Sequence, residues 1–292
     1  AAFFIFDTFC SSSKLLKKFD GHVKCINSID YSTFDSRQLL CSGSRDNIVC
    51  VWDIETNQQV QSFHGHSLFV FCVKFSQYHY YSHHQNVICS SSYDTTIRFW
   101  DFKHNQQLQM FGEHANTIKL CVYGMLKHQN HYMFSMDIKM LNNIGLIGGN
   151  GYTICSTSFD KTIRIWDIES TKQLILFKGH KHYVNNVKYG SNEFINTILS
   201  GSTDFSVRLW DMRSGKKIQI FNGHTDVVHA VEYSPFVIKN SDEVIGGNSN
   251  VICSGSSDNT IRFWDIRSNK KELYVMEGVG EKGNDGIKSR KE

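Results

Sequence analysis

Apolar runs alternate along this chain with small polar stretches, and they come in pairs. Residues 87–101, VICSSSYDTTIRFWD, show the unit: two apolar runs rich in β-branched and aromatic side chains, joined by a short polar stretch containing an aspartate. Such residues suit a pleated sheet buried on both faces, and the polar break predicts a tight turn between two strands. No apolar stripe at i, i+3, i+4 is sustained, so the pattern does not predict helix.

The unit recurs five times. IVCVWDI ends at Ile54, TIRFWDF at Phe102, TIRIWDI at Ile168, SVRLWDM at Met212 and TIRFWDI at Ile266. Before them stand SGSRD, SSSYD, STSFD, SGSTD and SGSSD, and an apolar stretch ending in FDGH, FHGH, FGEH, FKGH or FNGH opens each unit. Serine to tryptophan is ten residues in every unit and serine to aspartate is four. The histidine-to-tryptophan interval, by contrast, runs from 30 to 52 residues. Length variation is thus confined to one connection, between the first and second strands of each unit. Internal self-similarity of this period marks a repeat architecture whose core is built in slices between neighbouring units.

Units of about 44 residues with a GH…WD signature resemble the WD-repeat family. The likeness covers residues 3–276. It implies an all-β propeller of four-stranded antiparallel blades in which four positions per repeat are linked: His22, Ser42, Asp46, Trp52; His66, Ser90, Asp94, Trp100; His114, Ser156, Asp160, Trp166; His180, Ser200, Asp204, Trp210; and His224, Ser254, Asp258, Trp264. A serine, histidine and aspartate could also form a nucleophilic site. Five copies at fixed spacing point to architecture instead, so no catalytic residue is expected. The third unit departs from the pattern, since Glu113 makes it GEH, and an altered turn is expected there.

The ends and the long connections extend the prediction. Phe6-Asp7 stands where a WD pair belongs, so residues 2–19 are expected to form the last two strands of a preceding blade. Val279 replaces the histidine after the fifth unit, and the segment beyond is expected to begin another inner strand. The count is five complete repeats plus a split or partial sixth, with residues 1–292 one propeller domain. It is either a fragment of a larger, seven-bladed propeller or an imperfectly closed ring. The chain lacks an initiator Met, which suggests a trimmed N-terminus. Long loops are expected at 77–86, 124–151 and 235–250, the first with exposed histidines at His79, His83 and His84. Neither these histidines nor the IGGN turns have the partners a metal or phosphate site needs.

Composition narrows the function. Hydrophobic content of 40% with 20% charged residues describes a folded globular protein, and a net charge of +3 does not call for nucleic acid as a partner. Nine cysteines without a C-x-x-C pair, four of them (Cys41, Cys89, Cys155, Cys253) in equivalent apolar contexts, read as buried free thiols in a reducing compartment, cytoplasmic or nuclear. No membrane span, cofactor or metal is expected.

The family resemblance implies a scaffold for other proteins or peptides within a larger complex. The candidate surface is the rim beside the turn aspartates: Arg45, Tyr93 and Phe159, with Leu68, Phe69, His182, Tyr183 and Asp226. Arg, Tyr and Phe are the types that anchor interfaces. A second implication comes from W-D-x-R at Arg213 and Arg267, which is similar to the box by which some WD-repeat proteins dock a cullin–RING ubiquitin ligase adaptor. A third is a propeller carrying a catalytic or signalling domain elsewhere in a larger protein.

Overall fold

A computed structural model describes residues 16–32, 37–112, 114–116, 118–125, 152–190, 194, 196–234, 238–239, 244–245, 250–267, 272–278 and 289–290. The paired apolar runs fold as predicted into five antiparallel sheets. The first holds β1 (Ile26–Tyr31), β2 (Leu39–Ser44), β3 (Val49–Asp53) and β4 (Gln58–Phe63). The second holds β5 (Val70–Phe75), β6 (Val87–Ser92), β7 (Ile97–Asp101) and β8 (Gln106–Phe111). The third runs from β9 (Ile118–Met125) through β10 (Tyr152–Ser158) and β11 (Thr162–Asp167) to β12 (Gln173–Lys178). The fourth comprises β13 (Val184–Tyr189), β14 (Thr197–Ser202), β15 (Val207–Asp211) and β16 (Lys216–Phe221). In the fifth, β17 (Val228–Tyr233) is followed by a small β18–β19 ribbon (Ile238–Lys239, Val244–Ile245), then β20 (Val251–Ser256), β21 (Thr260–Asp265) and β22 (Glu272–Glu277). These are the blades of a propeller.

Successive blades stack in chain order, with β1 beside β5, β5 beside β9, β9 beside β13 and β13 beside β17. The apolar core is divided accordingly into four clusters, one at each junction. At each junction a phenylalanine ending one blade's outer strand packs on the next blade's tryptophan: Phe63 on Trp100 at 5.1 Å, Phe111 on Trp166 at 5.8 Å, Phe177 on Trp210 at 5.5 Å and Phe221 on Trp264 at 5.7 Å between ring centroids. A glycine in a second strand receives the inner strand of the following blade. A Cβ on Gly43 would sit 2.6 Å from Val70 Cγ1, and one on Gly201 would sit 2.7 Å from Val228 Cγ1. Among the described residues, the same place at Gly255, in the fifth blade, has nothing within 4 Å. On the first blade, Ile26 and Ile29 occupy the positions of Val70 and Val73 but are half exposed, where both valines are fully buried.

Two expectations are corrected. Residues 77–83 form a helix, α1 (Gln77–His83), within what was expected to be a loop. The Ser76 side chain caps it by accepting from the His79 N–H, and His84 closes it in a left-handed conformation. The helix buries Tyr78 and His79, so His79 is not an exposed histidine, whereas His83 and His84 are exposed. Tyr78 donates to Glu169 Oε1 at 2.5 Å, fastening the helix to the third blade. At the far end, β23 (Ser289–Arg290) does not begin a new inner strand. It pairs with Val275 and Met276 on the outer edge of the fifth blade, where β22 offers unpaired backbone groups. Of the strands expected over residues 2–19, residues 16–19 form no strand, while residues 2–15, the Glu113 turn and most of the 124–151 and 235–250 connections lie outside the described residues.

Candidate functional site

All five tetrads assemble. Each is built by a second strand that supplies the serine, a turn that supplies the aspartate, a third strand that supplies the tryptophan, and the loop entering the blade, which supplies the histidine. In the fourth blade the Trp210 indole N–H donates to Ser200 Oγ at 2.8 Å, Ser200 Oγ lies 2.8 Å from His180 Nε2, and His180 Nδ1 lies 2.9 Å from Asp204 Oδ2. The other four agree closely: the histidine–aspartate bond is 2.9 Å at His22, 2.8 Å at His66, 2.8 Å at His114 and 2.7 Å at His224. The indole can only donate, so each serine oxygen accepts from it; a serine proton directed at Nε2 is matched by an Nδ1 proton facing the carboxylate.

Electrostatics follow from this. Burial pushes His66, His180 and His224 below the ordinary imidazole value, against the opposing pull of their aspartates. Burial alone would raise the carboxyls of Asp94, Asp160 and Asp204, but bonds from histidine and from the turn's hydroxyl and amide groups outweigh it and hold them well below the usual range. Asp258 is held at about 2 by the same contest. All five tetrad serines are buried, and each hydroxyl oxygen is already occupied by an indole N–H.

Two contributors were legible but missed. A second serine, two residues beyond the first in each SxS run, donates to the loop carbonyl after the histidine: Ser44 to Lys24, Ser92 to Leu68, Ser158 to Asn116, Ser202 to Tyr183 and Ser256 to Asp226. An arginine two residues before the tryptophan also braces the turn, as where Arg208 reaches Asp204 Oδ2 at 3.2 Å. Both recur in the sequence, the serine in every unit and the arginine in four of five.

The rim residues sit directly on these tied loops. Leu68, Phe69, Tyr93 and Tyr183 are exposed at 43, 37, 42 and 36%. Arg45 and His182 are exposed, while Phe159 and Asp226 are half-buried. They gather into two clusters. Phe69 meets Tyr93 edge-on at 6.2 Å, and Phe159 stacks on Tyr183 at 4.3 Å with His182 beside it. Asp226 joins neither, its Oδ1 accepting from the Val227 N–H. Arg213 and Arg267 lie at the opposite ends of β15 and β21 from the turns. The Arg267 guanidinium is engaged by Asp265 of its own strand.

Among the described residues no group of three His, Cys, Asp or Glu side chains is placed to hold a metal, and no helix is long and apolar enough to cross a membrane. Cys25, Cys41, Cys50, Cys89, Cys155 and Cys253 are in no disulfide, and burial raises the Cys41 and Cys155 thiols.

Comparison with known proteins agrees with this geometry. A stretch of 138 residues is 30% identical to cell division control protein 4 of Saccharomyces cerevisiae, covering 44% of this chain and 18% of that protein. Another of 56 residues is 39% identical to coatomer subunit beta'-1 of Arabidopsis thaliana, covering 19% of this chain and 6% of that protein. The matches span under a fifth of either relative's length. The family model "WD domain, G-beta repeat" matches residues 13–53, 57–101, 143–167, 171–211 and 215–265. Every matched segment closes on the aspartate that ends a third strand, and the chain belongs to the WD domain, G-beta repeat family.

Proposed function

We propose that this chain is a scaffold that holds other proteins or peptides against its turn-bearing rim. Residues 1–292 would act as one propeller domain within a larger multiprotein complex, in a reducing compartment, with no catalytic step of their own. The observation that carries this reading is the exposure of Leu68, Phe69, Tyr93 and Tyr183 on loops fastened by the tetrads. Large apolar side chains held in water by a rigid frame are suited to anchor an interface. The coatomer relative is by its name a subunit of an assembly, which fits the same role.

The test is capture of binding partners by the purified chain, compared with a Tyr93→Ala/Phe159→Ala variant. Partners retained by the wild type should be lost from the variant while thermal unfolding shows both folded. Undiminished capture by a folded variant would overturn the rim reading.

A further inference from the structure

The first two blades place on the rim a combination that the others lack. Lys24 and Arg45 are both exposed, and among the described residues neither is in an ion pair. The Lys24 ammonium lies 6.0 Å from the centroid of the Phe69 ring, which belongs to the next blade. Arg45 Nε donates to Asn27 Oδ1 at 3.3 Å, and Asn27 Nδ2 donates to the Val70 carbonyl at 2.8 Å, so the guanidinium is held across the same junction. Phe69 meets Tyr93 edge-on, and the Phe71 ring lies 6.0 Å from that of Tyr93, tilted at 34°.

Neither cation is ion-paired with the carboxylates of the two turns, whose oxygens are held by the turns and entry loops. Asp46 Oδ2 accepts from His22 and from the Val23 N–H, and its Oδ1 accepts from the Ile48 N–H. Asp94 is bound in the same way by His66, Ser67 and Thr96. The patch is therefore three aromatic rings flanked by two cations that, among the described residues, are in no ion pair. It is not a requirement of the repeat. In the fourth blade Thr203 stands in place of Arg45, and in the fifth His229 and Ser257 stand in place of Phe71 and Tyr93.

We propose that this sector takes an acidic peptide segment of a partner protein. A large apolar side chain of the segment rests on Phe69, Phe71 and Tyr93, and aspartate or glutamate side chains beside it face Lys24 and Arg45. The proposal deepens the rim reading and rests on it. Burial of the aromatic anchor supplies affinity, and the cations supply orientation, encounter rate and selection against basic segments. Two cations on a chain of net charge +3 neutralise too few phosphates to hold a nucleic acid strand by the usual counterion release.

Fluorescence anisotropy with the full chain tests this, using labelled peptides that share a Leu-Trp core flanked by glutamates, serines or lysines, with a labelled oligothymidylate alongside. The glutamate peptide should bind most tightly, weaken on raising the salt, and weaken roughly tenfold with Lys24→Glu/Arg45→Glu. Tyr93→Ala should abolish its binding. The acidic proposal falls if the serine peptide binds as well, if the charge reversal has no effect, or if the oligonucleotide binds more tightly. If an uncharged or basic peptide binds and Tyr93→Ala abolishes it, the rim reading stands without the acidic preference. If no peptide responds to Tyr93→Ala, both fall.

Discussion

Phe159 and Tyr183 stack face to face, 4.3 Å between ring centroids and 17° between planes, although one belongs to the third blade's turn and the other to the fourth blade's entry loop. The pair therefore bridges a junction at the rim as well as offering a surface. A double-mutant cycle of Phe159→Ala and Tyr183→Ala should give a coupling of about 0.5–1.5 kcal/mol in urea unfolding. Strict additivity would mean that the stack contributes nothing to holding the blades together.

The tetrads should behave as structure. Trp166 is 1% exposed and its indole N–H donates to Ser156 at 2.8 Å. Trp166→Ala should lose about 3–5 kcal/mol in denaturant unfolding, through the cavity and the orphaned hydroxyl. An unchanged unfolding midpoint would refute the structural role.

The glycine sockets give a contrast within one molecule. Gly43→Ala and Gly201→Ala push a methyl into the following blade's valines and should each cost about 1–3 kcal/mol. Gly255→Ala, in the same register but with none of the described residues within 4 Å, should leave thermal stability nearly unchanged. Equal losses at all three sites would show that the fifth blade's face is covered in solution.

Acid should weaken the fold in two stages. The buried histidines His66, His180 and His224 have folded pKa values below the ordinary imidazole value of 6.5. As pH falls below about 6.5, the unfolded chain takes up protons that the folded rings refuse, so stability declines. Asp258, at about 2 when folded against 3.8 ordinarily, is also depressed. Its contribution is complete above its ordinary value and is lost as pH falls through its folded value. Urea midpoints measured from pH 8 to pH 3 should fall in that order, and a midpoint independent of pH above 5 would contradict the histidine assignment.

Turn strain is open to repair. Thr95 and Thr171 have φ of 66° and 56°, in the left-handed region that a β-branched residue disfavours. Asn47 and Gly215 occupy the corresponding turns in other blades. Thr95→Asn and Thr171→Gly should each raise stability by about 0.5–1 kcal/mol in urea unfolding, and a decrease would show that the threonine side chains do more than fill the turn.

Most of this architecture was legible because it repeats. Fixed serine–aspartate–tryptophan spacing revealed the strands, the family resemblance implied the tetrads, and the division of the core into slices followed. Helix α1 was not legible: QYHYYSH occurs once, and its aromatic residues suit a strand or loop as well as two turns of helix. The contrast between Gly43 and Gly255 was invisible for another reason. Both stand in the same SGS run, and only the neighbouring blade distinguishes them. Positive φ at Thr95 and Phe205 was hidden because neither residue type signals it.

The turn aspartate has a consequence for binding. Asp94 Oδ2 fixes the N–H of Ser67, Ser92 Oγ fixes the carbonyl of Leu68, and the Tyr93 N–H fixes the carbonyl of Phe69. Three successive residues of the loop are thus restrained before any partner arrives. Little backbone freedom is left to lose on association, and the aromatic side chains have few torsions to freeze. If the proposed rim binds a partner, this preorganisation would leave more of the contact energy as affinity than a free loop of the same sequence would retain.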